Sequence, residues 1–378
     1  MPTKRPSQSV TLQAIAERCG VHFSTVSLAM RNDPRLRQDT ITKIQTTAAE
    51  MGYDASYSDS ARRMALRKHG KDIPNYTIGV VMPRSFLNIT YYLQIYRGLL
   101  SVLTDANYSA LTLCMDNTAH NSIPLAFRRG DIDGIVAYTS PEVLLSLVHQ
   151  LREIAGFKER PIVINQAEWP DMLHVDADDG QGAYASACHL FSQGHRHLFM
   201  NLFRHLPPSI GGPASRIHAV TRAMHEYGID PQQHLHLLPT PSHWLDPYSK
   251  LDDPSNMPRA IKRDDARPIV RYLRAHPEIT AVLAVNDASA RQLWHILTEL
   301  GRRVPDDVSL IGFDDTDPIL DADGKNLLTT VRMPLYEMGR QAALLILRQL
   351  QGDTADAETQ IVLPTEFILR HSTAPCQK

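Results

Sequence analysis

The stretch Thr11–Arg31, TLQAIAERCGVHFSTVSLAMR, decides how the chain is read. Leu12, Ile15, Ala16 and Cys19 recur at i, i+3, i+4 and i+7, one face of a helix. Thr11 stands at the N-cap position, and Gly20 stands where a helix stops. A second helix starts near Phe23. It turns Val26, Ala29 and Met30 to one side and Ser24, Ser27, Leu28 and Arg31 to the other. Two short helices joined by a glycine-containing turn make a helix-turn-helix, whose second helix enters the DNA major groove. A plain helical hairpin is the competing reading.

Outward from this stretch, Ile41, Ile44, Ala48 and Met51 share a face of a third helix, with Gly52 as its C-cap. Charge separates this head from the rest. Residues 1–71 carry 12 Lys or Arg against 6 Asp or Glu, a net +6, whereas the whole chain is −2 and the remainder therefore −8. A basic head on an acidic body is the electrostatic footprint of a nucleic-acid reader. Asp54–Lys71 is polar and basic with a weakly helical centre at Ser60–Arg67, and reads as a linker.

At Tyr76 the texture changes. TIGVVMP opens a series of short apolar runs: Ser109–Met115, Gly134–Tyr138, Ile162–Asn165, Leu198–Leu202, Ala281–Val285 and Ser309–Phe313. Amphipathic stretches lie between most of them: Tyr91–Leu103, Glu142–Ile154, Gly182–Phe191, Ile217–Tyr227 and Ala288–Leu300. Alternating β and α units predict parallel sheets covered by helices, and the length predicts two such lobes. His236–Pro268, with six prolines and with Trp244 and Tyr248, reads as a long irregular excursion that lines a cleft or forms a lid.

Composition bounds the class. A chain of 378 residues, 43% hydrophobic and 21% charged, is that of a globular protein of two or three domains. The four cysteines form no CxxC pair, which fits a reducing compartment. The first ten residues are polar and basic rather than a signal peptide, and no apolar run reaches membrane-spanning length. A cytoplasmic location is expected.

Ligands of open α/β sheets bind beyond the carboxyl ends of the strands. The residues found there are Asn165-Gln166, Asn286-Asp287 and Asp314-Asp315, with Arg216, Tyr91 and Tyr92 near helix starts. Carboxylates, a guanidinium and aromatic rings together suit a small polyhydroxylated ligand. Enzyme motifs such as GxSxG, GxxxxGK[ST] and HExxH are absent, and the paired acids Asp314-Asp315 have no partner nucleophile. His189, His195 and His197 read as solvated or capping side chains rather than metal ligands. No enzyme activity, cofactor or metal site is expected.

These residues, in this order and spacing, resemble the lactose-repressor (LacI/GalR) family of bacterial transcription regulators over nearly the whole chain. The head carries the Thr-Leu start, Ala16, Gly20-Val21, Thr25-Val26-Ser27 and Gly52-Tyr53. The body carries Asp178, Gly182, His189-Leu190, Gly194-His195-Arg196, Arg216, Asn286-Asp287, VPDDVSLIGFDD (304–315), LLTTVRMP (327–334) and LPTEFILRHST (363–373). The resemblance implies an all-α helix-turn-helix head on an α/β two-lobed periplasmic-binding-protein-like domain of parallel sheets flanked by helices. It implies an effector-controlled regulator, read as a repressor, that binds a pseudo-palindromic operator in double-stranded DNA as a homodimer. The effector is expected to be a sugar or sugar derivative, with no membrane partner. A solute-binding protein or a sugar-processing enzyme on the same scaffold is the alternative.

Carried over residue by residue, Phe23, Ser24 and Leu28 would read bases, with Thr25, Ser27 and Arg31 nearer the phosphates. Thr11, Leu12 and His22 join this DNA-contact set, and Arg62 or Met64 would enter the minor groove. Effector contact falls to Tyr91, Tyr92, Arg216, Asp287 and Asp314, with Asn165 and Trp244 added from their positions. The family often has Arg at the position of Leu28. Leu28 can offer a base only apolar contact, for example with a thymine methyl. The hinge also departs from the pattern, since Asp54-Ala55-Ser56 follows Tyr53 where the family usually has Pro-Asn. Residues 1–55 are expected to form the head, 56–74 the hinge and 75–378 the effector domain. The N-lobe is read as about 75–164 plus 287–328, and the C-lobe as about 165–286 plus 329–378. The chain would cross between lobes near Asn165, near Asp287 and at Thr329–Arg332.

Overall fold

The computed structural model describes residues 10–30, 33–53, 74–82, 89–115, 123, 127, 131–139, 141–153, 160–165, 172–203, 211–240, 263–352 and 359–377. The chain divides into two units, Met1–Pro74 and Asn75–Lys378.

The first unit contains α1 (Leu12–Cys19), α2 (Phe23–Ala29) and α3 (Gln38–Glu50). The Thr11 hydroxyl accepts from the Ala14 amide at 3.2 Å, as an N-cap does. Gly20 closes α1 in the left-handed region at φ +65°, a conformation that costs glycine little. Ile15, Ala16, Val26, Ala29, Ile41, Ile44 and Ala48 form one small core. Met30 is only half-buried at its edge. The Gln45 side-chain amide donates to the Ala29 carbonyl at 3.0 Å and ties α3 to the end of α2.

The second unit holds two parallel sheets. The N-lobe sheet has the order β11-β5-β4-β3-β1-β2. Its strands are β1 (Thr77–Met82), β2 (Ser109–Cys114), β3 (Gly134–Ala137), β4 (Ile162–Ile164), β5 (Leu173–Ala177) and β11 (Gln360–Leu363). The C-lobe sheet has the order β7-β6-β8-β9. It is built from β6 (Leu198–Phe203), β7 (Leu235–Thr240), β8 (Ala281–Leu283) and β9 (Ser309–Ile311). A short antiparallel pair joins β10 (Thr330–Arg332) to β12 (Glu366–Ile368). The helices are α4 (Thr90–Asp105), α5 (Pro141–Arg152), α6 (Asp179–Ser192), α7 (Gly211–Glu226), the single turn α8 (Pro231–His234), α9 (Arg263–Ala275), α10 (Asp287–Glu299) and α11 (Leu335–Gln351).

Helices α4 and α11 approach backbone to backbone. A methyl on Gly98 would lie 1.9 Å from the Tyr336 carbonyl oxygen, and one on Gly339 would lie 1.9 Å from that of Ile95. Only glycine fits at such a crossing.

Strand pairing corrects the expected lobe boundaries. Leu173–Ala177 pairs with β4 and β11, so the N-lobe continues past Asn165 and the chain first crosses at Asp178. Residues 287–328 belong to the C-lobe, because β9 pairs with β8. Leu335–Gln351 belongs to the N-lobe, where it packs on α4. The second crossing is therefore at Met333-Pro334, and the third at Pro364-Thr365, between β11 and β12. The strand β5, LHVDA, carries polar His174 and Asp176, which hid it among the apolar runs. The first and third crossings are tied together: the Thr365 hydroxyl donates to the Asp178 carbonyl at 2.9 Å, and the Thr365 amide to the Gln181 side chain at 3.0 Å.

The proline-rich excursion is shorter than its composition implies. Its start is strand β7, paired with β6 from Leu235 to Thr240. β7 is an edge strand, where Pro239 leaves no interior partner unsatisfied. Its end is helix α9, which includes Pro268. The stretch between them, with Trp244, lies outside the described residues.

Candidate functional site

In the head, His22 is the N-cap of α2. Its Nδ1 accepts from the Ser24 amide at 3.3 Å and lies 2.8 Å from the Ser24 hydroxyl. Phe23 stands 46% exposed at the helix start. His22 and Ser24 are exposed beside it, and Thr25, Ser27 and Leu28 are half-exposed further along. Its ring takes no part in the head core and stays open to a partner. Leu12 is different, since it packs against the head core. Thr11 is exposed and spends its hydroxyl on the α1 cap. Arg31, Arg62 and Met64, expected in the same set, lie outside the described residues.

The body gathers a second site at the carboxyl edges of its sheets. Arg216 on α7 is buried, 9% exposed, against Asp179 at the start of α6, 8% exposed. Its Nε lies 2.6 Å and its terminal nitrogen 2.5 Å from Asp179 Oδ1, and a second terminal nitrogen donates to the Val285 carbonyl at 2.6 Å. The guanidinium also stacks 3.4 Å above the Phe313 ring centroid. Beyond β9, Asp314 adopts φ +98°. That left-handed backbone is unfavourable for a residue with a Cβ, and such strain collects at functional sites.

Asp314 is 9% exposed, and among the described residues no donor bonds its carboxylate. Burial raises its carboxyl well above the usual range, while the neighbouring Arg216 guanidinium pulls the other way. Tyr91 at the start of α4 comes from the opposite lobe. Burial raises its phenol, and the Asp314 carboxylate, Tyr92, Asp179 and Asp176 raise it further. The rings of Tyr91 and Tyr92 meet edge to face at 5.1 Å. Tyr91, Tyr92, Arg216 and Asp314 are thus brought to one place. Asp179 and Phe313 complete the set. Sequence reasoning missed Asp179 because an acid in the first turn of a helix reads as a dipole partner.

One expectation is corrected. Asp287 is 2% exposed, but its carboxylate is already used. One oxygen accepts from the Thr330 hydroxyl at 2.6 Å, and the other from the amides of Thr316 at 2.8 Å and Asp317 at 3.4 Å. It anchors the turn that carries Asp314 and does not offer itself to a ligand. Burial pushes its carboxyl up to about 7, against the lowering effect of those bonds. Asp315 is paired with Arg332 at 2.9 Å and Arg370 at 2.8 Å, so Asp314-Asp315 is not a free acid pair. Asn165 follows β4 directly, with its side-chain oxygen buried and taking no hydrogen bond from any described residue.

Comparison with known proteins follows the same division. Residues 11–56 match the model for bacterial regulatory proteins of the lacI family. Residues 187–373 match the periplasmic binding protein-like domain. The chain belongs to the lacI family of bacterial regulatory proteins. This lacI-family chain is a DNA-binding transcription regulator. It is 28% identical over 373 residues to the transcriptional regulator DegA of Bacillus subtilis, spanning 97% of this chain and 98% of that one. It is 26% identical over 389 residues to the transcriptional repressor CytR of Escherichia coli, covering 99% of each. A lacI-family regulator from Enterococcus faecium, solved with bound ribose, superposes with TM-score 0.62 at 27% identity, over 80% of this chain and all of the other. The lac repressor dimer on operator DNA shares the fold, with TM-score 0.68 at 18% identity over 97% of this chain and 100% of the other. Among the described residues, no helix is long and apolar enough to cross a membrane.

Proposed function

We propose that this regulator is a cytoplasmic repressor controlled by a sugar or sugar derivative, held between the lobes by Asp314, Arg216 and Tyr91. The observation that carries the reading is Asp314, a buried carboxylate that no described donor satisfies. A largely buried acceptor that no described side chain or amide bonds is open to donors from a ligand, and sugar hydroxyls would supply them. Tyr91 offers a ring face for the apolar side of a sugar, and Arg216, held in place over the buried Phe313 ring, offers a fixed donor. The ribose held by the Enterococcus faecium relative belongs to this ligand class.

Control follows from the crossings at Asp178, Met333-Pro334 and Pro364-Thr365. Any change in the angle between lobes must pass through these segments. An effector that binds one lobe arrangement better shifts the population towards it, by no more than its difference in affinity for the two. The output is α2. One head buries too little surface to be specific alone, so a homodimer on a pseudo-palindromic site is the form that reads DNA. Half-site spacing then follows from the dimer's symmetry.

The test is a panel of pentoses, hexoses and nucleosides titrated into the full chain, read by melting temperature and by release from DNA selected out of a random pool. At least one carbohydrate is expected to raise the melting temperature of the parent but not of Asp314→Asn. A panel with no shift for any carbohydrate rejects the sugar reading, and an equal shift in both proteins removes Asp314 from the site.

A further inference from the structure

A second cluster lies at the other edge of the C-lobe sheet. His197 immediately precedes β6, His236 is the second residue of β7, and Glu278 lies between α9 and β8. Strands β7, β6 and β8 are adjacent and parallel, so their amino ends lie side by side. The effector site uses the carboxyl edges instead. His197 Nδ1 is 3.3 Å from His236 Nε2. The ligating atoms of His197, His236 and Glu278 all lie within 4.8 Å of one another.

Nothing in the repressor reading uses this arrangement. Two imidazole nitrogens that face each other can share one proton or one metal ion. Zinc–nitrogen bonds of about 2.0–2.1 Å in a tetrahedral site place two ligand nitrogens about 3.3 Å apart, the spacing found here. The surrounding groups orient the ligands. The far nitrogen of His236, Nδ1, is 2.9 Å from the Tyr272 hydroxyl. Glu278 Oε1 is 2.7 Å from His276 Nδ1. Metal-bound histidines and carboxylates are held by outer partners of this kind. The His234 ring lies 4.5 Å from that of His197, and the His276 ring 5.3 Å from that of His236.

We propose that His197, His236 and Glu278 bind one divalent transition-metal ion of the zinc class at the amino edge of the C-lobe sheet. Imidazole nitrogen and carboxylate oxygen together suit zinc and its neighbours. Such an ion ties β6, β7 and the α9–β8 connection into one unit, and it stabilises the fold in proportion to its occupancy.

His189, His195 and His197 lie close together in the sequence. The structure separates them. His195 is buried and lies within 3.0 Å of the Thr280 and Ser309 hydroxyls and the Ala374 carbonyl. His189 Nε2 is 3.0 Å from the Thr373 hydroxyl. Only His197 joins His236 and Glu278.

The test uses the full, tag-free chain, stripped with a chelator and titrated with Zn²⁺ by calorimetry and by competition with a chromophoric chelator. One ion per chain is expected, with a rise in melting temperature. Co²⁺ at the same site should give the intense visible absorption of tetrahedral coordination. Glu278→Gln should weaken binding by about tenfold or more, and His236→Asn should abolish it. Glu278 is 35% exposed, so Glu278→Gln should melt like the parent when no metal is present, which separates lost binding from lost fold. A titration without a stoichiometric ion overturns the proposal. So does an ion that still binds the His236→Asn, Glu278→Gln double variant with parental affinity.

Discussion

Asp287 and Asp314 sit at neighbouring strand ends of the C-lobe, and in sequence they look alike. Both are buried, and burial raises both carboxyls. They differ in what satisfies them. Asp287 takes bonds from one hydroxyl and two amides, and so fixes the turn after β9. Asp314 sits on that turn at a positive φ, with no described donor and with Arg216 and Tyr91 beside it. The first acid is scaffold for the second. A buried polar group whose bonds are complete holds structure, and one whose bonds are missing awaits a ligand.

The contrast can be broken or sharpened by experiment. Arg216→Ala should have the largest effect. It removes a fixed donor from the site and leaves Asp179 buried without its cation, at about 3–5 kcal/mol of stability. The effector response should vanish while DNA binding survives at a temperature where the variant is folded. An unchanged effector titration would place Arg216 outside the site. Asp287→Ala should cost about 3 kcal/mol in urea melts, because Thr330 and two amides lose their acceptor. A cost near zero would erase the distinction between the two acids.

Asp287 also predicts a pH dependence. The folded chain holds its proton up to about pH 7, whereas an unfolded Asp releases it near about 4. The folded state therefore binds more protons across this window, and stability should fall as pH rises through it. Asp287→Asn should flatten that slope, and a slope equal to the parent's would contradict the assignment. Asp314→Asn should weaken effector binding by about 2 kcal/mol, with stability kept or raised, since no described donor bonds this carboxylate. A loss of stability matching that of Asp287→Ala would mean both acids are scaffold. The smallest effect is expected in the head. Leu28→Ala should change preference at one operator base by about 1 kcal/mol, and a uniform loss over all sequences would show that Leu28 does not read a base.

The head was legible because its signals are local. Thr11, Gly20 and the spacing of Ile15, Ala16, Val26 and Ala29 lie within one stretch, and each acts through neighbours a few residues away. Tyr91, Arg216 and Asp314 were legible as strand-end residues, because the topology of a parallel sheet places them there. Asp179 was not, since its role depends on Arg216, 37 residues further on. The lobe boundaries were misplaced for a related reason. β5 carries His174 and Asp176, and α11 shows its allegiance only through the glycine crossing with α4.

The sequence by itself determined the three-helix head, the alternation of strands and helices, and the family, all of which rest on short-range periodicity and ordered motifs. Only the tertiary structure decided which buried acid is satisfied, where the chain crosses between lobes, and that His197, His236 and Glu278 meet. Those outcomes depend on hydrogen bonds and strand pairings between residues far apart in the chain, and no local pattern encodes whether a buried group will find its partner.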